Sequence, residues 1–98
     1  MELKNQSPGQ LAQSRLVIAD NYGRLGERAV ELMRLRALYY QSFRDTVKSD
    51  AALDRKFELT NEGLELMEIK MKQRSLEHKL SAIRTLLEVK NNEMKNQY

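Results

Sequence analysis

An apolar residue recurs at every seventh position through the first half of this chain. The row consists of Leu11, Ile18, Leu25, Leu32 and Tyr39. Because seven residues make close to two turns of an α-helix, side chains at this spacing lie on one face and form a seam for a second helix. The spacing therefore predicts a long helix that pairs with at least one other helix.

Small residues stand beside the beginning of that row. Ala12, Ala19 and Gly26 each follow a residue of the row by one position. Short side chains allow two helix axes to come closer than long ones do. We therefore expect the closest helix approach at these three positions.

The first helix has a recognisable start. Ser7 can cap the helix, Pro8 suits its first position, and Gln10 stands where a capping box needs a side-chain acceptor. We predict a helix over 8–45, preceded by a loose arm over 1–7 that lacks apolar periodicity. Aspartate, serine and β-branched residues in the stretch that follows compete with helix formation.

Two capping signals compete for the start of the second helix. Ser49 followed by Asp50 is one, and Thr60 is the other. With the later start, 50–59 is a short separate helix and the last helix runs over 61–95. With the earlier start, 50–59 extends that helix, and Gly63 in its interior costs about 1 kcal/mol relative to alanine.

The second half carries two apolar rows at helical spacing, offset from one another. The first contains Leu53, Phe57, Thr60, Leu64, Met67 and Met71. The second contains Leu66, Ile69, Gln73, Leu76, Leu80, Ile83 and Leu87. Because the rows coexist between positions 64 and 71, the apolar arc there is wider than one neighbour requires. We expect a third helix to pack on it, either the 50–59 segment folded back or a helix of another subunit.

Together these patterns predict an all-α fold in a single domain over 1–98. Its architecture is a long antiparallel helical hairpin, coiled-coil-like, with a short connecting helix. The predicted helix interface comprises Leu11, Ala12, Ile18, Ala19, Leu25, Gly26, Leu32, Tyr39, Leu64, Met67, Ile69, Met71, Leu76, Leu80, Ile83 and Leu87.

The remaining apolar residues do not all fit inside one seam. They are Val17, Val30, Leu35, Leu38, Leu86 and Met94. A lone hairpin of this size also buries little core. The sequence therefore predicts a dimer or a higher oligomer of this chain.

The composition argues against an enzyme and against a metal or cofactor site. The chain has no cysteine, and His78 is its single histidine. Thiolate zinc sites and two-histidine sites therefore cannot form within one chain. There is no glycine-rich phosphate loop and no nucleophile elbow. Glu65, Glu68 and Glu77 lie among opposite charges, as on a solvated helix face, and we predict no catalytic, cofactor-binding or metal-binding residue.

The charge permits a nucleic-acid partner without requiring one. The formal net charge is +3 and the isoelectric point is near 9.3. Arg24 and Arg28 stand four apart in the first helix, as do Lys70 and Arg74 in the second. Each pair has an acidic residue three or four positions away, which weakens its field. These four residues are therefore candidate nucleic-acid contacts, with a plain solvated face as the alternative.

Two arginines fall on the core-facing stripe of the first helix. Arg15 and Arg36 stand four positions after Leu11 and Leu32. Either their stems lie along the seam while the guanidinium reaches a glutamate across it, or the stripe is open and binds an anion or an acidic partner.

No apolar run approaches the ~20 residues that span a bilayer. The first ten residues also lack the hydrophobic block of a secretory signal. We therefore expect a cytoplasmic protein without a membrane partner.

Four segments of the second half carry a resemblance, over residues 48–98. They are Lys48–Ala52, Leu59–Gly63, Leu76–Thr85 and Asn96–Tyr98. The second half resembles a group of small uncharacterised phage and prophage helical proteins, often encoded among recombination and single-strand-binding genes. In that group the position of Asn61 often holds proline, and this chain departs from that pattern. The resemblance implies a phage accessory protein and transfers no catalytic residue.

The function expected from these observations is non-catalytic. We expect a phage-type accessory protein that binds an unidentified phage or host protein through its helices, in the host cytoplasm. It would support phage DNA metabolism or inhibit a host factor. The alternatives are an oligomeric DNA-binding protein of low specificity and a structural component of a virion or scaffold.

Overall fold

The fold is all-α. The computed structural model describes the backbone of residues 3–96 and the side chains of residues 3–93. Within that part of the chain every long element is a helix and none is a strand: α1 spans Pro8–Phe43, α2 Asp50–Glu58 and α3 Asn61–Asn96. The predicted helical hairpin with a short connecting helix is confirmed.

The start of α1 is fixed by a reciprocal pair of hydrogen bonds. The backbone N–H of Ser7 donates to Oε1 of Gln10 at 2.9 Å, and the backbone N–H of Gln10 donates to Oγ of Ser7 at 3.2 Å. Both N–H groups would otherwise lack a partner within the helix. The predicted capping box is confirmed.

Removing this cap gives a small and specific loss of stability. We expect Ser7→Ala to lower the free energy of unfolding by about 1 kcal/mol, because the N–H of Gln10 loses its acceptor. Urea denaturation followed by circular dichroism measures the change. Ser75→Ala, at an exposed position inside α3, is the matched control and should cost nothing. Equal stability of the two variants would contradict the role of the cap.

The chain divides into two compact units. The first, the terminal unit, combines the residues up to Gly23 with those from Arg74 onward, and the second, the hinge unit, is Arg24–Gln73. Each unit has its own apolar core.

The terminal unit is built on a small core of three buried residues. Leu11 and Ile83 are fully buried and Ile18 is nearly so. Lys90 donates to the backbone carbonyl of Gln6, while Tyr22 donates to Glu77. The α1 and α3 segments of this unit are therefore antiparallel. Partly buried side chains complete the core: Leu3, Leu76, Leu80, Leu86 and Leu87.

The segment before α1 is anchored where the structure describes it. Leu3–Asn5 forms a 3-10 turn, and Leu3 packs against the core of the terminal unit. The hydroxyl of Ser14 donates to Oε1 of Gln6 at 2.9 Å. The sequence suggested a loose arm because a single apolar contact and one side-chain bond leave no periodic pattern. The first two residues of the predicted arm lie outside the described residues.

The hinge unit is built on a second core. Leu32, Phe57, Leu66 and Ile69 are buried in it. Leu25, Ala29, Tyr39 and Tyr40 pack against them. All three helices therefore contribute to this core.

Both candidate starts of the second helix are used. Ser49 caps α2, with its Oγ accepting from the N–H of Ala52 at 3.4 Å. Thr60 precedes α3, and its Oγ1 accepts from the N–H of Gly63 at 3.0 Å. The segment after α1 is thus a separate nine-residue helix.

Helix α2 packs on the C-terminal end of α1. The ring of Phe57 meets those of Tyr39 and Tyr40 edge-on, at centroid distances of 5.6 and 6.3 Å. The ammonium group of Lys56 lies 4.2 Å from the centre of the Phe43 ring. Edge-on aromatic pairs add to the stabilisation from burial alone, so these contacts hold α2 in place.

Candidate functional site

The break between α2 and α3 decides which apolar residues of the second half are buried. Leu53 and Phe57, on the first sequence row, are 0% and 4% exposed. Beyond Thr60 the burial passes to the second row, where Leu66 and Ile69 are 5% and 4% exposed. A break interrupts the 3.6-residue phase of a helix. The first row therefore faces the core only up to the break.

Three side chains of the first row are left exposed by this change of phase. We call them the α3 apolar row. Leu64, Met67 and Met71 are 50%, 48% and 68% exposed. The third helix that the sequence predicts on this arc is α2, whose Phe57 shares a core with Leu66. It leaves the α3 apolar row exposed, although the sequence pattern placed the three residues of this row in the helix interface. The spacing of apolar residues could not predict this exposure. The row is continuous along the sequence, but the helix that would carry all of it is interrupted between α2 and α3.

The α3 apolar row has the form of a helix-docking stripe. Its members are spaced three and four apart on one helix, so they lie on one face. Exposed Glu68, Lys70 and Lys72 are their sequence neighbours. Two of the three residues are methionines, whose flexible side chains adapt to varied apolar partners. Charged residues around an apolar stripe are typical of surfaces that receive a helix.

A glycine makes the break possible. Gly63 is buried, and a Cβ at this position would overlap the carbonyl oxygen of Phe57 and lie 2.9 Å from the Cα of Glu58. The hydroxyl of Thr60 donates to the same carbonyl at 2.6 Å. The last turn of α2 therefore packs directly on the backbone of α3. The sequence alone indicates only the helix-propensity cost of Gly63, because this contact joins residues of two helices.

The predicted interface residues fall into three groups by exposure. Those buried are Leu11, Ile18, Leu32, Ile69 and Ile83. Those half-buried are Leu25, Gly26, Tyr39, Leu76, Leu80 and Leu87. Those exposed are Ala12, Ala19, Leu64, Met67 and Met71. Of the surplus apolar residues, Met94 lies outside the residues whose side chains are described.

The small residues beside the seam do not mark an unusually close helix approach. Ala12 and Ala19 are exposed. A Cβ on Gly26 would lie 3.6 Å from Nε2 of Gln73, which is an ordinary contact distance. One position beyond the seam is the flank of the helix pair, so these residues border the interface.

The seam of α1 passes through Ser14 instead of Arg15. Ser14 stands three positions after Leu11 and is 9% exposed, whereas Arg15 is exposed. Contact positions on a helix alternate between spacings of three and four. The prediction extended the four-residue spacing from elsewhere in the helix and therefore placed Arg15 one position too close to the core.

Arg36 does lie on the seam, and it is used within the chain. Its guanidinium donates to the hydroxyl of Tyr40 at 2.8 and 3.0 Å and to Asp54 at 2.9 Å. Tyr40 in turn donates to Asp54. The partner is therefore an aspartate of α2 and not a glutamate across the seam, because the connecting helix occupies this side of α1.

The remaining basic candidates are on the surface. Arg28 forms ion pairs with Glu65 and Glu31, each at 2.8 Å. The hydrogen bond to Glu65, and to a smaller extent the one to Glu31, raises the pKa of the Arg28 guanidinium. Arg24, Lys70 and Arg74 are exposed. The carboxylates beside Arg28 oppose phosphate binding at that position, since a phosphate would meet two negative charges.

The terminal unit holds two further polar side chains of interest. Tyr22 donates to Glu77 at 2.7 Å, and this hydrogen bond, followed by the charge of Glu77, raises the pKa of the phenol. His78 is exposed and borders an open groove together with Leu3, Lys4 and Ser81.

Within the described residues there is no cluster of three or more histidine, cysteine or acidic side chains suited to hold a metal ion. No helix in that part of the chain is both long and apolar enough to traverse a bilayer.

Comparison of the chain with family models, curated proteins and solved structures found no match. The α3 apolar row therefore stands as the candidate site on its own geometry.

Proposed function

We propose that this chain is a non-catalytic interaction protein that binds another protein helix through the α3 apolar row. The observation that carries the proposal is the half-exposure of Leu64, Met67 and Met71 on one face of α3. Burying such side chains against a partner removes apolar surface from water, with a gain of about 25 cal/mol for each Å².

A second copy of this chain is the first partner that we propose. Each copy presents the same row, and two identical apolar faces can cover one another in a symmetric dimer. Exposed apolar side chains near the start of α1, Leu16 and Val17 at 66% and 49% exposure, add surface for a larger assembly.

The biological setting that we propose is a phage. Its support is the resemblance of residues 48–98 to small phage and prophage proteins, whose genes often neighbour those for recombination and single-strand binding. In that setting the helix bound by the row belongs to a phage or host protein in the host cytoplasm. Protein binding is favoured over DNA binding because Arg28 and Arg36 already pair with carboxylates of the same unit.

Two glutamine substitutions test the proposal. We expect the wild-type chain to show a mass above 11.5 kDa that rises with concentration in sedimentation equilibrium. Met67→Gln with Met71→Gln should weaken this association at least tenfold, since two apolar side chains are replaced by polar ones of similar length. The helix content should not change, because both residues are exposed.

Met33→Gln is the matched control, because Met33 is equally exposed but lies on α1. It should leave the association as strong as in the wild type. A wild-type mass of 11.5 kDa at every concentration would contradict the second copy as partner. An equal effect of the control and the double substitution would contradict the α3 apolar row as the surface.

A further inference from the structure

Leu59 is the most exposed large apolar residue described in this chain. Its exposure is 83%, and it lies at the break between α2 and α3. Leu59 also stands seven positions before Leu66, which is buried. The same interval continues along α3 to Gln73 and Leu80, which are half-buried. Leu59 therefore extends the core-facing row of α3 backward, into a segment where the observed break turns it away from the core.

At Leu59 the backbone is compatible with an unbroken helix. Leu59 has φ −84° and ψ −8°, in the right-handed helical region. The single proline of the chain is Pro8, far from the break. No described residue has a positive φ. Proline and a left-handed residue are common signals that end a helix, and the break between α2 and α3 uses neither.

The contacts at the turn between α2 and α3 itself are few and local. The N–H and the hydroxyl of Thr60 both donate to the carbonyl of Phe57, at 2.9 and 2.6 Å. The N–H of Gly63 donates to the hydroxyl of Thr60, and Phe57 packs on Tyr39. A continuous helix would replace the first two bonds by the ordinary bond from the N–H of Asn61 to the carbonyl of Phe57.

We propose that α2 and α3 interconvert between this broken form and one continuous helix from Asp50 to Asn96. In the continuous form Leu59 turns toward α1, in phase with Leu66, and takes the place of Phe57. The first sequence row is then restored to one face of one helix. Its apolar members are Leu53, Phe57, Leu64, Met67 and Met71.

The two forms differ in the surface that they offer to a partner. The broken form buries Leu53 and Phe57 and exposes Leu59. The continuous form buries Leu59 and adds Leu53 and Phe57 to the α3 apolar row. A partner helix that binds the longer row favours the continuous form by its difference in affinity for the two forms. The offset pair of rows in the sequence is the signature of these two alternatives.

Gly63→Ala is expected to destabilise the broken form and to favour the continuous one. In the broken form the added Cβ overlaps the carbonyl oxygen of Phe57, whereas in a continuous helix that oxygen lies within the helical hydrogen-bond ladder. Alanine also favours an uninterrupted helix over glycine. Gly23→Ala is the matched control, because nothing lies within 4 Å of a Cβ at that position of α1.

Nuclear Overhauser effects in the isolated protein give the readout. In the wild type and in Gly23→Ala we expect effects between the rings of Phe57 and Tyr39. In Gly63→Ala we expect these to disappear, and effects between the Leu59 methyl groups and α1 to replace them. Helix content by circular dichroism should equal or exceed that of the wild type.

A folded Gly63→Ala protein that keeps the Phe57–Tyr39 effects would overturn the inference, as would one whose α2 segment loses its helix. Where Gly63→Ala does not fold, Thr60→Ala decides, because it removes the hydroxyl bonds at the break without adding a clash. Leu59–α1 effects in that variant support the continuous form, and their absence overturns it. Neither variant alters Leu64, Met67 or Met71, so failure here leaves the proposed binding function standing.

Discussion

Leu32→Ala is expected to lower the free energy of unfolding by about 3 kcal/mol. Leu32 is fully buried and touches a core to which all three helices contribute. The substitution removes apolar contacts with Phe57, Leu66 and Ile69 and leaves a cavity that surrounding helices fill only in part. Chemical denaturation followed by circular dichroism measures the loss.

The neighbouring position supplies the control for this prediction. Met33 follows Leu32 directly and is 54% exposed. Met33→Ala should therefore lower the free energy of unfolding by less than about 1 kcal/mol, because this side chain is already largely in contact with water and its truncation removes little buried apolar area. If the two substitutions destabilise the protein equally, the orientation of α1 described above is wrong.

A second large effect is expected in the terminal unit. Ile83 is fully buried against Leu11 and Ile18. Ile83→Ala should cost about 2 to 4 kcal/mol, again as lost apolar transfer plus a cavity. Amide hydrogen exchange should accelerate in the α1 and α3 segments of this unit, since exchange follows the free energy of opening.

Val89→Ala is the control in the same helix, because Val89 is 47% exposed. It should leave the exchange of the terminal unit close to that of the wild type. An unchanged exchange pattern in Ile83→Ala would show that the three-residue core is not what holds this unit together.

The sequence predicts the regular parts of this fold well. The seven-residue spacing identifies α1 and the buried positions of Leu11, Ile18 and Leu32, because a helix keeps its phase over many turns. The capping box at Ser7 can be predicted from the sequence because it depends only on residues close together in the chain. The two competing starts at Ser49 and Thr60 were visible for the same reason.

The sequence does not predict the position at which burial passes from the first apolar row of the second half to the second row. The exposure of Met67 and Met71 depends on the break at Thr60, and the break depends on the contact between Phe57 and Gly63. That contact joins residues of two helices, so no pattern along one helix encodes it. The pairing of Arg36 with Asp54 was missed for a similar reason, because it requires the position of α2.

Site-specific photo-crosslinking tests the proposed binding of a protein by the α3 apolar row. A photoreactive amino acid at Met71, on the row, is compared in cells with the same group at Lys72, which is exposed but off the row. We predict a covalent adduct of defined mass, with a second copy or with another protein, from position 71 alone. Adding Met67→Gln should reduce its yield. If adducts are absent, or are the same from both positions, the α3 apolar row is not a surface that binds a protein.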